Sequence, residues 1–197
     1  MLKHAIPASL VLETDKVLLR AISARDIQGY NGIVFAEPIW KYFVSNIATE
    51  ADLLNFVEQG IADTHSGIRF VFSIMDKVSG LIAGSTSFGN ISPRDGRLEI
   101  GWSWVGQDYA GTHVNRHTKY CLMKYAFEKL EASRVEFKTD VLNLRARKAL
   151  TKIGAVEEGV LRSHTLMPAG RRRDTIFYSV LADEWPGVRA TAFADLP

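Results

Sequence analysis

Apolar residues recur along this chain with two different periods, and the order in which the periods change sets out the elements. Residues 16–21, KVLLRA, form a short β-prone run. Ser23 stands three residues before Asp26 in a helix-starting pattern, with Asp in place of the usual Glu or Gln. Thr49 precedes EADLLNFVEQGI, whose Leu53, Leu54, Phe56, Val57 and Ile61 fall on one helical face. Two β-rich runs follow, residues 69–75 and 80–88, joined by DKVS, and predict an antiparallel hairpin. The first half of the chain therefore reads strand, helix, helix, strand, strand.

RLEIGWSWV alternates, which places Leu98, Ile100, Trp102 and Trp104 on one face of a strand and Glu99, Gly101, Ser103 and Val105 on the other. A loop of small and polar residues leads into VNRHTKYCLMKYAFEKL, a helix over residues 114–130, and RVEFKTD is the next strand. Asn143 caps LRARKALTKI, which Gly154 ends in the manner of a left-handed C-cap. A closing hairpin over residues 159–167 and 174–182 turns through PAGRRR, and the last dozen residues read as a loosely held tail. With no repeat and no linker, a single domain over residues 1–197 is expected, its core at about 16–182 and its tail at about 186–197.

The 197 residues are 47% hydrophobic and 23% charged, enough for one sizeable core. A balance of 24 Lys and Arg against 22 Asp and Glu gives a net charge of +2, without the broad basic field that nucleic-acid binding needs. A lone cysteine, Cys121, forms no internal disulfide or metal knuckle and reads as a small buried hydrophobe, in keeping with a reducing cytoplasm. The leading MLKHAIPASLVLE is broken by Pro7 and lacks a small-residue cleavage pattern, so no signal peptide is expected. No uncharged apolar stretch approaches the roughly 18 residues of a membrane span. His113 and His117 are four apart but lack a third ligand in register, so no metal is expected and both read as surface-helix residues. Arg171, Arg172 and Arg173 read as a solvated turn, and adjacent Ser163 and His164 face opposite sides of a strand, which excludes a nucleophile and base pair.

This order describes a mixed sheet covered by helices, an α+β architecture. It resembles the GNAT fold. LEIGW, GTHVN entering a long helix, and NLRARKALTKIGA are similar to the RimJ/RimL-type branch, the ribosomal-protein N-terminal acetyltransferases. The resemblance implies a largely antiparallel sheet of about seven strands and about four helices, splayed between strands 4 and 5, the strands ending near Trp104 and Asp140. It also implies acetyl-coenzyme A as cosubstrate and a primary amine as acceptor, with a homodimer as the default assembly.

A helix start offers unpaired N–H groups and a positive dipole end, a seat for the pyrophosphate of coenzyme A. By the resemblance that seat is Ala110, Gly111, Thr112, His113, Val114 and Asn115. Against the superfamily pattern Gln/Arg-x-x-Gly-x-Gly/Ala, Ala110 replaces the first residue, His113 the central Gly and Asn115 the last small residue. The pantetheine arm is expected along the strand edge at Trp102, Ser103, Trp104 and Val105. Asn143 matches the family Asn that bonds this arm, and it is equally a plain N-cap.

The amine must lose a proton before attacking the thioester, and Glu99 matches the family's strand Glu, a candidate general base with small neighbours Gly101 and Ser103. It is equally a solvent-facing strand residue. The family's donors to the leaving thiolate correspond to Ala146 and Leu150, neither of which can donate. Direct transfer in a ternary complex is the leading expectation, with the oxyanion held by strand amides. A non-catalytic acyl-coenzyme A binding module is the alternative, and an RNA or ribosome interaction protein using the arginine turn is a third.

Overall fold

The computed structural model describes residue 2, residues 6–168 and residues 170–197. Residues 1 and 3–5 of the leader reading, and Ala169 of the PAGRRR turn, lie outside the described residues. In chain order the strands are β1 (Val11–Glu13), β2 (Val17–Ala21), β3 (Phe70–Asp76), β4 (Leu81–Ser92), β5 (Arg97–Val105), β6 (Arg134–Asp140), β7 (Val156–Leu166) and β8 (Arg172–Leu181). The helices are α1 (Ile27–Asn31), α2 (Glu37–Trp40), α3 (Glu50–Ser66), α4 (His113–Glu128), α5 (Leu144–Lys152) and α6 (Trp185–Ala192). The α+β GNAT architecture is thus present, with one more strand, β1, and two more helices, α2 and α6, than expected.

One sheet runs in the order β1-β2-β3-β4-β5-β6-β8-β7. Every neighbouring pair is antiparallel except β5 and β6, which are parallel and joined through α4, as a parallel pair requires a crossover. Their ladder is short, pairing Arg97, Leu98 and Glu99 with Arg134, Val135 and Glu136, after which the strands part. Beyond that point β4 still holds β5 out to Val105, and β8 holds β6 along its whole length.

Each face of the sheet has its own core. Leu98, Ile100, Val135, Phe137, Ile176 and Tyr178 join α4 and α5 on one face, while Trp104, Val71 and Ile82 join α1, α2 and α3 on the other. On that second face Thr49 caps α3, its Oγ1 accepting from Asp52 N (3.2 Å) while the Asp52 carboxylate accepts from Thr49 N (2.9 Å), and Gly67, at φ 73°, ends the helix. Leu54, counted on its apolar face, is exposed.

The even alternation expected along β5 does not hold. Ser85 and Ser87 of β4 pair with Trp104 and Gly101, so β5 carries one extra residue, a bulge at Trp102, whose φ is +50°. Trp104 therefore lies opposite Leu98 and Ile100, among Tyr30, Trp40 and Phe56, and the Trp102 ring stands over Gly89, the cross-strand partner of Glu99. Ser103 is turned away from Glu99 and toward α4. Glycine is required at both partner positions. A Cβ on Gly84 would lie 2.1 Å from the Trp104 carbonyl oxygen, and one on Gly89 2.3 Å from the Trp102 ring.

The tail reading is also corrected. Residues 185–192 form α6, with Trp185 stacked on Phe127 and Phe193 fully buried against Tyr120. The Arg116 guanidinium donates to the Ala192 carbonyl and pairs with Asp195. Two aromatic anchors outweigh the entropy of ordering a short terminus.

Candidate active site

Three features converge where β5 and β6 part: the start of α4, the two strand edges, and a set of buried charges. Thr112 caps α4 in extended conformation, its Oγ1 accepting from Val114 N (3.3 Å), and Gly111 precedes it at φ +80° with open space above its Cα. The Ala110 and Thr112 amides already donate to Gln107 O and Tyr109 O. The amides of His113 and Asn115, in the first turn, have no i−4 carbonyl to bond and remain for an anion.

His113 and His117, read as surface residues, are both engaged: His113 Nε2 lies 2.8 Å from Asp76 Oδ1, and His117, buried, has Nδ1 2.8 Å from Thr14 Oγ1. Burial holds the His117 pKa below its ordinary value. Among the described residues no group of three or more His, Cys, Asp or Glu could hold a metal ion.

Glu99, the last residue of β5 paired with β6, is buried on the α3 face at 3% exposure rather than turned to solvent. Its Oε2 accepts from Asn90 Nδ2 (2.6 Å) and Lys138 Nζ (2.9 Å). Its Oε1 crowds Gly101, where a Cβ would sit 2.5 Å away. Trp102 lies in the same group, with Arg69 and Lys138 over its ring at 5.2 and 5.6 Å.

The solvated-turn reading of the arginines holds in part: Arg171 and Arg172 are exposed, and Arg173 is buried. Arg172 and Arg173 belong to β8, Arg171 pairs with the buried Asp140, Arg172 donates to the Ser163 carbonyl, and Arg173 is buried with Nε donating to Thr175 Oγ1 (3.0 Å). Burial lowers the Arg173 pKa, and the fields of Asp140 and Glu99 oppose that. Strand pairing with β7 fixes the backbone of Arg172 and Arg173.

On the opposite face is a residue absent from the expected set. Lys119 of α4 is 6% exposed, its Nζ donates to Ser103 Oγ at 2.8 Å, and it stands 5.5 Å from the Phe137 ring centroid. Ser103 lies on β5 and Phe137 on β6, each beyond the last pair the two strands share, so the ammonium sits in the opening between them. Burial lowers its pKa to about 7, the field of Glu99 only partly opposing this. The signal was legible: Lys119 shares the stripe of Met123, Ala126 and Leu130, all buried.

Asn143 caps α5, its Oδ1 accepting from Ala146 N (3.1 Å), and with Leu142, Leu144, Pro38 and Tyr42 it lines a cavity of about 240 Å³ at the start of that helix, rather than at Glu99. Leu150 is buried in the core, so the two expected donor positions contribute no polar hydrogen.

Comparison with known proteins gives the same reading of the fold. The family described as "Acetyltransferase (GNAT) domain" matches residues 16–156. The "Putative ribosomal N-acetyltransferase YdaF" of Bacillus subtilis is 33% identical over 55% of this chain, and the matched part spans 58% of that relative. A GCN5-related N-acetyltransferase from Brucella melitensis superposes with TM-score 0.87 at 26% identity, over 95% of this chain and 86% of that one. Mycobacterium smegmatis RimJ, solved in complex with CoA-disulfide, shares the fold at TM-score 0.78 and 20% identity, over 90% of each chain.

Proposed function

Because this chain belongs to the GNAT acetyltransferase family, we propose that it is an N-acetyltransferase, moving the acetyl group of acetyl-coenzyme A directly to a primary amine. The observation that carries the reading is the opening between β5 and β6 beside the start of α4. Strand edges with free peptide groups accept an extended arm as they would another strand, and a helix start accepts its pyrophosphate. In this reading the Gly111 turn with the His113 and Asn115 amides holds the pyrophosphate, the Trp102–Val105 edge holds the arm, and Asn143 borders it. RimJ, solved with CoA-disulfide, has the same fold, which supports coenzyme A as the ligand class.

Glu99 is the proposed base. Asn90 and Lys138 fix one carboxylate oxygen, leaving Oε1 to accept a proton from an amine entering over the α3 face. Its burial keeps bulk water away, and Lys138 Nζ, 2.9 Å from Oε2, holds the carboxylate in place. The relative named as a ribosomal N-acetyltransferase favours a protein α-amino group as acceptor. That group, with an ordinary pKa of about 8, needs less help to deprotonate than a lysine at about 10.

Calorimetric titration with acetyl-coenzyme A tests the seat. Gly111→Asp puts a side chain at φ +80° and a negative charge beside the pyrophosphate. Affinity is expected to fall at least tenfold, and unchanged affinity in the variant would place the coenzyme elsewhere.

A further inference from the structure

Resting on that reading, we propose that Lys119 is the catalytic acid that delivers a proton to the departing thiolate of coenzyme A. A buried ammonium with three donors and one acceptor is a costly arrangement, and a fold keeps such a group where a ligand completes it. Lys119 is of this kind: Ser103 Oγ is its one hydrogen-bond acceptor among the described residues, and no carboxylate stands within ion-pair distance of it. The Phe137 ring on β6 stands 5.5 Å from the ammonium. Of the charged groups near the opening, Glu99 is the one whose field reaches it, and Glu99 is itself tied to Lys138 across the sheet.

Its position selects the role. Glu99 and Lys119 flank the opening from opposite faces, the carboxylate on the α3 side and the ammonium on the α4 side. Lys119 shares its helix with the Gly111 turn, seven residues beyond the Thr112 cap, about 10 Å along the axis. The group on the coenzyme's helix faces the leaving sulfur, and the one on the other face receives the amine. In the step, the amine nitrogen forms the bond to the acetyl carbon and loses one proton to Glu99 or water. The C–S bond breaks, its electron pair goes to sulfur, and Lys119 Nζ supplies the proton that completes the thiol. The amine proton, released to solvent, is replaced on Lys119 in the next cycle. Ser103, bonded also to Thr86 (2.7 Å), keeps the ammonium aimed into the opening.

The test compares the pH dependence of kcat in the full-length parent, Lys119→Met and Lys119→Arg, following thiol release with an amine acceptor at saturating acetyl-coenzyme A. The parent is expected to lose kcat as pH rises through the lysine's titration, the acid form being the active one. Lys119→Met is expected to fall at least a hundredfold at neutral pH, to lack that high-pH limb, and to bind acetyl-coenzyme A within threefold of the parent. Lys119→Arg keeps a cation that holds its proton and is expected to remain as slow as the Met variant. A Met variant within threefold of the parent, a retained limb, or recovery in Lys119→Arg overturns the role. If the parent itself releases no thiol with any amine, the acetyltransferase reading fails first, which separates the two failures.

Discussion

Replacing Lys119 by Met should make the fold more stable, and the gain should vanish as pH rises. The side chain is 94% removed from solvent, judged by its 6% exposure, and burial lowers its pKa from 10.5 to about 7. At 1.36 kcal/mol for each pH unit between those values, an ammonium in this place costs the fold about 5 kcal/mol below pH 7. Met fills much of the same volume and carries no charge, and it leaves Ser103 Oγ bonded to Thr86, so no orphaned hydroxyl results. The variant forfeits one charged hydrogen bond and the contact with Phe137, about 2 kcal/mol together. A net gain of about 2–3 kcal/mol at pH 6 remains.

The sign follows from proton counts. Between pH 7 and 10.5 the unfolded parent binds a proton that the folded parent lacks, so the parent gains stability through that window and the Met variant does not. Urea unfolding of both proteins at pH 6 and pH 9 should show the gap closing by about 2–3 kcal/mol. A Met variant less stable than the parent at pH 6, or a gap equal at both values, would refute the claim that Lys119 is a buried, unpaired cation. The same measurement bears on function: a residue that destabilises its own fold is retained for what it does when ligand is bound.

Glu99→Gln should lower turnover about a hundredfold at neutral pH while acetyl-coenzyme A affinity stays level; turnover within threefold of the parent removes Glu99 as base. Phe193→Ala empties a fully buried aromatic site beside Tyr120 and should cost about 3–5 kcal/mol in urea unfolding. A loss under about 1 kcal/mol would return the C-terminal residues to the status of a loose tail.

What could be read from the chain beforehand divides by the range of the interaction. The capping box of α3, the β3–β4 hairpin and the Asn143 cap are local, and each stands where the pattern put it; the α3 apolar face does so except at exposed Leu54. The face assignment along β5 failed because a bulge is written in the partner strand. It depends on Gly84 and Gly89, which sit in β4 and carry no signal until the two strands are paired. β1 and α2, three and four residues long, are too short for any period to register. The α6 helix was legible and missed: Pro186 near its start is a helix-opening residue, and Trp185, Val188 and Ala192 repeat with helical spacing. The pairing of Arg171 with buried Asp140 could not be read, since the two meet only once β6 and β8 are side by side.

The opening itself needs a cause, because two adjacent strand edges with free peptide groups would ordinarily pair. Each strand is held by its other neighbour. Seven residues of β6 pair with β8, and β5 follows β4 through the Trp102 bulge, which increases its twist and turns it away from β6 three residues after the last shared pair. Side chains then occupy the flanks that a continued ladder would need. On one face the Trp102 ring is set between Arg69 and Lys138, and on the other Lys119 is anchored to Ser103 of β5 against Phe137 of β6. The bulge that misleads an alternation argument is thus what brings Trp102 to the face of Glu99 and turns Ser103 toward α4. A one-residue deletion within Gly101–Ser103 would restore even alternation and align the β5 edge with β6, closing the place where an extended arm could pair.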